Sequence, residues 1–190
     1  MKNITDKYRK VIYRCVHKYD GGCKCGTPHL VEQEIKEFFL KALNRLLGVK
    51  EEVMSNLNTL IEITTDTAEL EGKKEKLWTE LSGIEDTIKA MIGENARKAI
   101  DQEEYDKRYD SLYGRYEKHL ARISEIEEEI LSRNARRIRI RDFIDKLMDL
   151  DGEQTVFDEQ LWGGIVDHMT VYRQKKIVFT FAGDIEITVK

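Results

Sequence analysis

The chain predicts an α+β fold, mostly helical, in which a long antiparallel coiled-coil hairpin projects from a small base built by the two terminal segments. Three observations predict it. Apolar residues recur at heptad spacing along two successive stretches between Leu57 and Leu147. A polar break near 93–101 separates those stretches, and the β-favouring segments are confined to the two ends of the chain. A 3.5-residue apolar period held over several heptads marks a supercoiled helix pair. Arms of about forty residues at 1.5 Å per residue give a rod of roughly 60 Å, too long for one compact domain. The expected division is a discontinuous base, residues 1–48 with 151–190, and a coiled-coil insertion over 49–150.

Composition agrees. Charged residues make up 36% of the chain and there is one proline, which suits long solvated helices. No apolar run approaches the roughly 18 residues of a membrane span, and no secretory signal follows Met1. Three cysteines are too few for a secreted disulfide framework, so the expected location is the cytoplasm, with thiols reduced. The net charge of −4 conceals a basic N-terminal stretch containing Lys2, Lys7, Arg9, Lys10 and Arg14. A second basic run, Arg133 to Arg141, includes Arg136 and Arg139. Local basic clusters are what phosphate contacts require, although such runs also serve as ordinary solvated faces.

From the N-terminus, residues Tyr8–Cys15 alternate basic with β-branched or aromatic side chains and predict a strand with one wet, positive face. Asp20-Gly21-Gly22 is a turn. Thr27-Pro28 has the form of an N-cap followed by proline at the first helical position, so a helix is expected from about His29 to Leu47, with Gly48 as its C′ residue. Its buried side is Val31, Ile35, Phe38, Phe39, Ala42, Leu43 and Leu46. Cys15 and Cys25 resemble half of a four-thiolate zinc site. Spacing alone favours a packed Cys15 with loop thiols at Cys23 and Cys25 over a metal site.

The run Val11-Ile12-Tyr13-Arg14-Cys15, the glycine turn, and Cys25-Gly26-Thr27-Pro28-His29-Leu30-Val31-Glu32 resemble the second half of the zinc ribbon of large serine recombinases, a group that includes phage serine integrases. In that family a helix, a long coiled-coil insertion, a closing helix and a β-hairpin follow, and the same order runs through this whole sequence. The resemblance implies that Cys15 and Cys25 match the third and fourth zinc ligands, with Cys23 as an alternative thiol. The upstream Cys-x-x-Cys pair and the catalytic serine domain are absent from this sequence. The expectation is therefore a C-terminal fragment that does not cut or join DNA and needs no cofactor, zinc belonging to the full-length parent. The resemblance also implies that coiled coils touch between subunits to assemble or lock the synapse of two DNA sites.

The first arm carries Ile63, Leu70, Leu77, Ile84 and Met91 at heptad spacing, with Leu60, Leu81 and Ile88 at the alternate seam position. Thr67 and Lys74 also occupy seam positions, and Trp78 lies one residue past the seam. Asp101 followed by Glu104 has the form of a capping box that opens the return helix. The second arm continues at Tyr105, Tyr109, Leu112, Tyr116, Ile123, Ile126, Ile130, Ile140, Ile144 and Leu147, with His119, Arg133 and Arg137 as polar seam members. These three polar residues are expected to pair with Glu62 or Glu69. Met91, Ile92, Tyr105, Tyr109 and Tyr113 at the tip either line the seam or bind a second copy, since tyrosine buries area at low entropy cost.

At the C-terminus, Phe157, Leu161, Trp162, Ile165 and Val166 form the apolar face of a short helix. Met169–Tyr172, Lys176–Phe181 and Ile185–Val189 then read as strands joined by Arg173-Gln174-Lys175 and Ala182-Gly183-Asp184, and are expected to pair with the Tyr8–Cys15 strand. Lys2, Lys7, Arg9, Lys10, Arg14, Arg136 and Arg139 are the candidate DNA contacts. The expected partners are DNA, held weakly, and a second copy through the coiled coil, with no membrane and no small-molecule substrate. The rival expectation is a structural interaction protein without a DNA role. No P-loop, Gly-x-Gly-x-x-Gly, Gly-x-Ser-x-Gly or His-Glu-x-x-His motif is present.

Overall fold

The computed structural model describes residues 11–15, 25–97 and 101–190. The order is β1 (Ile12–Tyr13), β2 (Leu30–Val31), α1 (Glu32–Leu47), α2 (Lys50–Thr64), α3 (Ala68–Asn95), α4 (Gln102–Met148), α5 (Glu159–Ile165), β3 (Val166–Val171), β4 (Ile177–Phe181) and β5 (Ile185–Val189). The fold is mostly helical with a small antiparallel sheet part, α+β as expected. Two compact units divide it: Met1–Leu60 with Arg139–Lys190, and Ile61–Ile138. Among the described residues, no helix is long and apolar enough to cross a membrane.

The core of the first unit lies between α1 and the sheet β3-β4-β5. α1 buries Ile35, Phe39, Ala42, Leu43 and Leu46, one stripe at helical spacing. β4 is the central strand and all five of its residues are buried, whereas β5 turns Ile185, Ile187 and Val189 inward and leaves Glu186 exposed. Phe39 sits among Phe157, Trp162 and Phe179, with ring centroids 5.7, 5.0 and 6.2 Å away. Ile140, Phe143, Ile144 and Leu147 of α4 are buried, and Phe143 stacks on Phe181. Asn44 pins the loop before α5: its amide donates to the Gln154 carbonyl at 2.9 Å and accepts from the Gln154 N–H at 2.8 Å. Lys50 Nζ caps the end of α4 by donating to the carbonyls of Met148 and Leu150.

Several expectations for this unit are corrected. The strand predicted over Tyr8–Cys15 reduces, within the described residues, to Ile12–Tyr13, and it pairs antiparallel with Leu30–Val31 rather than with the C-terminal strands, which form their own sheet. Because Leu30 and Val31 are committed to that ladder, α1 starts at Glu32 and not at His29. Thr27 and Pro28 lie before the ladder, and Glu34 does the capping, its carboxylate accepting from the Val31 N–H at 2.9 Å. Gly48 ends α1 in right-handed conformation, φ −63°, so the left-handed C′ turn is absent there. The C-terminal helix and three strands fall close to their predicted places, and the turns between the strands hold Gln174, Lys175, Gly183 and Asp184 at positive φ.

In the second unit the expected continuous first arm is broken. α2 ends at Thr64 and α3 begins at Ala68. The break changes the phase of the apolar stripe, so Ile61 is buried in α2 while Ile63, predicted as a seam residue, is 75% exposed. From there Leu70, Lys74, Leu77, Leu81, Ile84, Ile88 and Met91 form a buried or half-buried stripe along α3, spaced alternately four and three apart. The corresponding positions of α4 run without interruption from Tyr105 through Tyr109, Leu112, Tyr116, His119, Ile123, Ile126 and Ile130 to Arg133 and Arg137. Contacts between the helices run in opposite chain directions: Arg137 reaches Thr65, Arg133 reaches Asp66, and His119 Nε2 lies 3.2 Å from Glu80 Oε2, out of line for a hydrogen bond. Asp101 caps α4 by accepting from the N–H groups of Glu103 and Glu104.

Candidate functional site

Lys2, Lys7, Arg9, Lys10 and Cys23 lie outside the described residues. Around the described part of the N-terminal segment the first unit forms a groove of about 620 Å³. Cys15, Arg14 and Tyr13 line one part of it, Leu30 and Ile35 another, and Trp162, Met169 and Val171 a third. Lys36 also lines the groove, paired with Glu32 at 2.6 Å and set over the Phe157 ring at 5.1 Å. The Glu32 carboxylate holds the Lys36 ammonium above its ordinary pKa. Glu34, on the same helix, is held below the usual carboxylate range, first by the Val31 N–H and then by Lys175. Gly26 allows the Arg173 side chain to pass close to the backbone, where a Cβ would meet Nε at 3.1 Å.

Cys15 and Cys25 are half-buried thiols not joined by a disulfide. The Cys25 sulfur and the Thr27 hydroxyl share a hydrogen bond at 3.0 Å. Among the described residues, no group of three or more His, Cys, Asp or Glu could hold a metal ion. Tetrahedral zinc takes four ligands, so the described donors do not fit a closed structural zinc site.

The arginine run divides by partner. Arg137 donates from Nε to Thr65 Oγ1 at 2.9 Å and from Nη2 to the Thr65 carbonyl. Arg133 donates to Glu129 at 2.7 Å and to the Asp66 carbonyl at 2.6 Å. The hydrogen bonds go to these partners rather than to Glu62 or Glu69, the guanidinium groups satisfying carbonyls that the break after α2 releases, while Arg133 still acts on Glu69 through charge, helping after Lys73 to hold its carboxyl below the usual range. Arg139 is ion-paired with Asp167 at 2.9 Å. Arg14 and Arg136 are exposed.

At the far end of α3 and α4, Met91, Tyr105 and Tyr109 are half-buried seam residues, while Ile92 and Tyr113 face solvent. Tyr105, Tyr109, Tyr113 and Tyr116 form a continuous stack with centroids 6.3, 6.0 and 6.3 Å apart. Sequence reasoning did not single out the groove or the seat of Arg137 on Thr65. The groove is assembled from segments more than a hundred positions apart, and the Thr65 seat exists only because the helix breaks there. No protein-family model, curated protein or solved structure matches the chain.

Proposed function

We propose that the chain is a DNA-binding and synapsis-regulating module of the kind found at the C-terminus of large serine recombinases, acting by binding and not by catalysis. In this reading the first unit is an incomplete ribbon-like base that meets duplex phosphates. The second is an antiparallel coiled-coil hairpin that contacts other subunits. The reading puts the module in the cytoplasm, with Cys15 and Cys25 reduced. The observation that carries it is the order of parts: a Cys15–Cys25 segment leads into α1, a heptad-seamed helix pair interrupts the chain, and α5 with a small sheet returns to the same compact unit as α1.

Phosphate contacts position a protein without reading sequence, so binding is expected to be weak and steeply salt-dependent. Fluorescence anisotropy with a labelled duplex at low salt tests it. Arg14→Ala is expected to weaken binding equally on unrelated duplexes and to reduce the salt slope by about one. Absence of salt-dependent duplex binding sinks the reading. One observation favours a rival without a DNA role: Arg133 and Arg137 are turned to backbone carbonyls and Arg139 to Asp167, which leaves less of that basic run for phosphate. In that case the protein self-associates in sedimentation while retaining no DNA.

A further inference from the structure

The two flanks of the α3–α4 seam differ in chemistry. One flank is identified by the recess lined by Thr87, Met91, Glu94, Arg108 and Ser111, residues that precede or follow the seam on a common side of both helices. Charges there alternate and are paired, as in Lys73–Glu69, Arg108–Glu104 and Arg122–Glu125. On the opposite flank, Lys74 meets Glu71 at 2.8 Å and also feels Glu127 across the seam. The residue after each alternate seam position points to this side, among them Trp78 and Ile92 of α3 and Tyr113 and Leu120 of α4. All four are exposed, Trp78 by 47% and Tyr113 by 45%. The register set by Glu80–His119 and Asp66–Arg133 puts Trp78 level with Leu120 and Glu85 level with Tyr113.

We infer that this flank is a docking groove for a basic amphipathic helix supplied by a different protein. The inference rests on the second unit alone and stands whether or not the chain binds DNA. Two helices with an apolar stripe between them accept a third helix whose apolar residues recur every three or four positions. From Trp78 to Ile92 the stripe spans fourteen residues of α3, or about 21 Å, which a helix of about four turns covers. Charge selects the occupant. The rim carries Glu71, Glu85, Asp106, Asp110, Glu117 and Glu127 against two cations, Lys74, paired with Glu71, and Lys89, 3.8 Å from Glu85, so carboxylates remain in excess. A second copy presenting the same flank would bring these carboxylates face to face, whereas a helix with lysine or arginine beside its apolar stripe would neutralise them.

The test uses the full chain and two fluorescein-labelled peptides of about three heptads. Both have the same leucine stripe, one with lysine and the other with glutamate on the remaining positions. Anisotropy titration is expected to show the lysine peptide binding at least about tenfold more tightly than the glutamate peptide, with Leu120→Ser and Trp78→Ser each weakening it about tenfold. Glu117→Lys is expected to weaken binding, and Glu69→Lys on the other flank to leave it unchanged. Circular dichroism of Leu120→Ser verifies the helices, whose seam this exposed position does not enter. Equal binding of the two peptides, no binding of either, or equal effects of the two charge reversals overturns the inference. So does a dimer in sedimentation that Leu120→Ser dissolves, since a second copy would then occupy the groove.

Discussion

Replacing Arg137 by methionine keeps most of the aliphatic stem and removes the guanidinium from the break between α2 and α3. Its target is well defined. Thr65 is fully buried, and its hydroxyl donates to the Ile61 carbonyl at 2.7 Å while accepting from Arg137. The Thr65 carbonyl also accepts from Arg137. Loss of the guanidinium therefore removes two charge-assisted hydrogen bonds and leaves a buried carbonyl short of a donor. Such bonds are worth about 1.5–3 kcal/mol each, and the half-buried guanidinium lets water recover part, so a net loss of about 2–3 kcal/mol is expected. At about 2–4 °C per kcal/mol for a chain of this size, the melting temperature should fall by about 5–10 °C. Urea unfolding followed by circular dichroism measures the loss. In a double-mutant cycle with Thr65→Val the two changes should couple by about 1 kcal/mol or more, because each removes the other's partner. The reasoning is refuted if Arg137→Met unfolds within about 0.5 kcal/mol of the parent, the range of an ordinary surface change.

Phe39→Ala empties the centre of the aromatic cluster of the first unit and is expected to cost about 3–5 kcal/mol, read from its melting transition. Gly183→Ala meets two obstacles, φ of +78° and the Leu57 side chain against the new Cβ, and should cost about 2–3 kcal/mol in urea unfolding. Gly152→Ala, at φ +67° with open space around it, should cost only about 1 kcal/mol. Because the folded-state pKa of Glu34 is depressed, its contribution is present above the unfolded value near 4.5 and disappears as pH falls through the lower folded value. Glu34→Gln is therefore expected to melt below the parent at neutral pH and to converge with it once the pH lies below the depressed folded value, whereas a gap independent of pH refutes the assignment.

The seam was legible in the sequence residue by residue from Leu70 to Met91 and from Tyr105 to Arg137, because a four-three spacing commits a helix whatever it packs against, whereas Ile140, Ile144 and Leu147, expected on the same seam, belong to the core of the first unit. Even the polar members Lys74, His119, Arg133 and Arg137 fell on it. The break at 65–67 was not legible. No glycine or proline marks it; the Asp66 carboxylate takes the Ala68 N–H, and the carbonyls of Thr65 and Asp66 find their donors on α4, some seventy positions away. The start of α1 was misplaced for a related reason. Thr27-Pro28 has local helix-start chemistry, but the pairing of Leu30–Val31 with Ile12–Tyr13 is tertiary and outweighs it. The C-terminal strands were readable from their β-branched residues and turns, whereas their pairing partner was not, since alternation fixes which face is buried and says nothing of which edge is occupied. At the candidate site, the exposure of Trp78 followed from its place one step off the seam, while the carboxylate rim beside it emerges only once two helices are laid in register.

The stacked tyrosines from Tyr105 to Tyr116 also give the molecule an optical label of its own. Phenol rings held about 6 Å apart and nearly parallel couple their transitions, and that coupling generates a near-ultraviolet dichroic signal only while the side chains are fixed. In a Trp78→Phe background, which removes the indole of the second unit, Trp162, locked edge-on against Phe39 and Phe179, reports in the same way on the first unit at longer wavelength. Melting of one unit can thus be followed beside melting of the other in a single spectrum, with no dye attached.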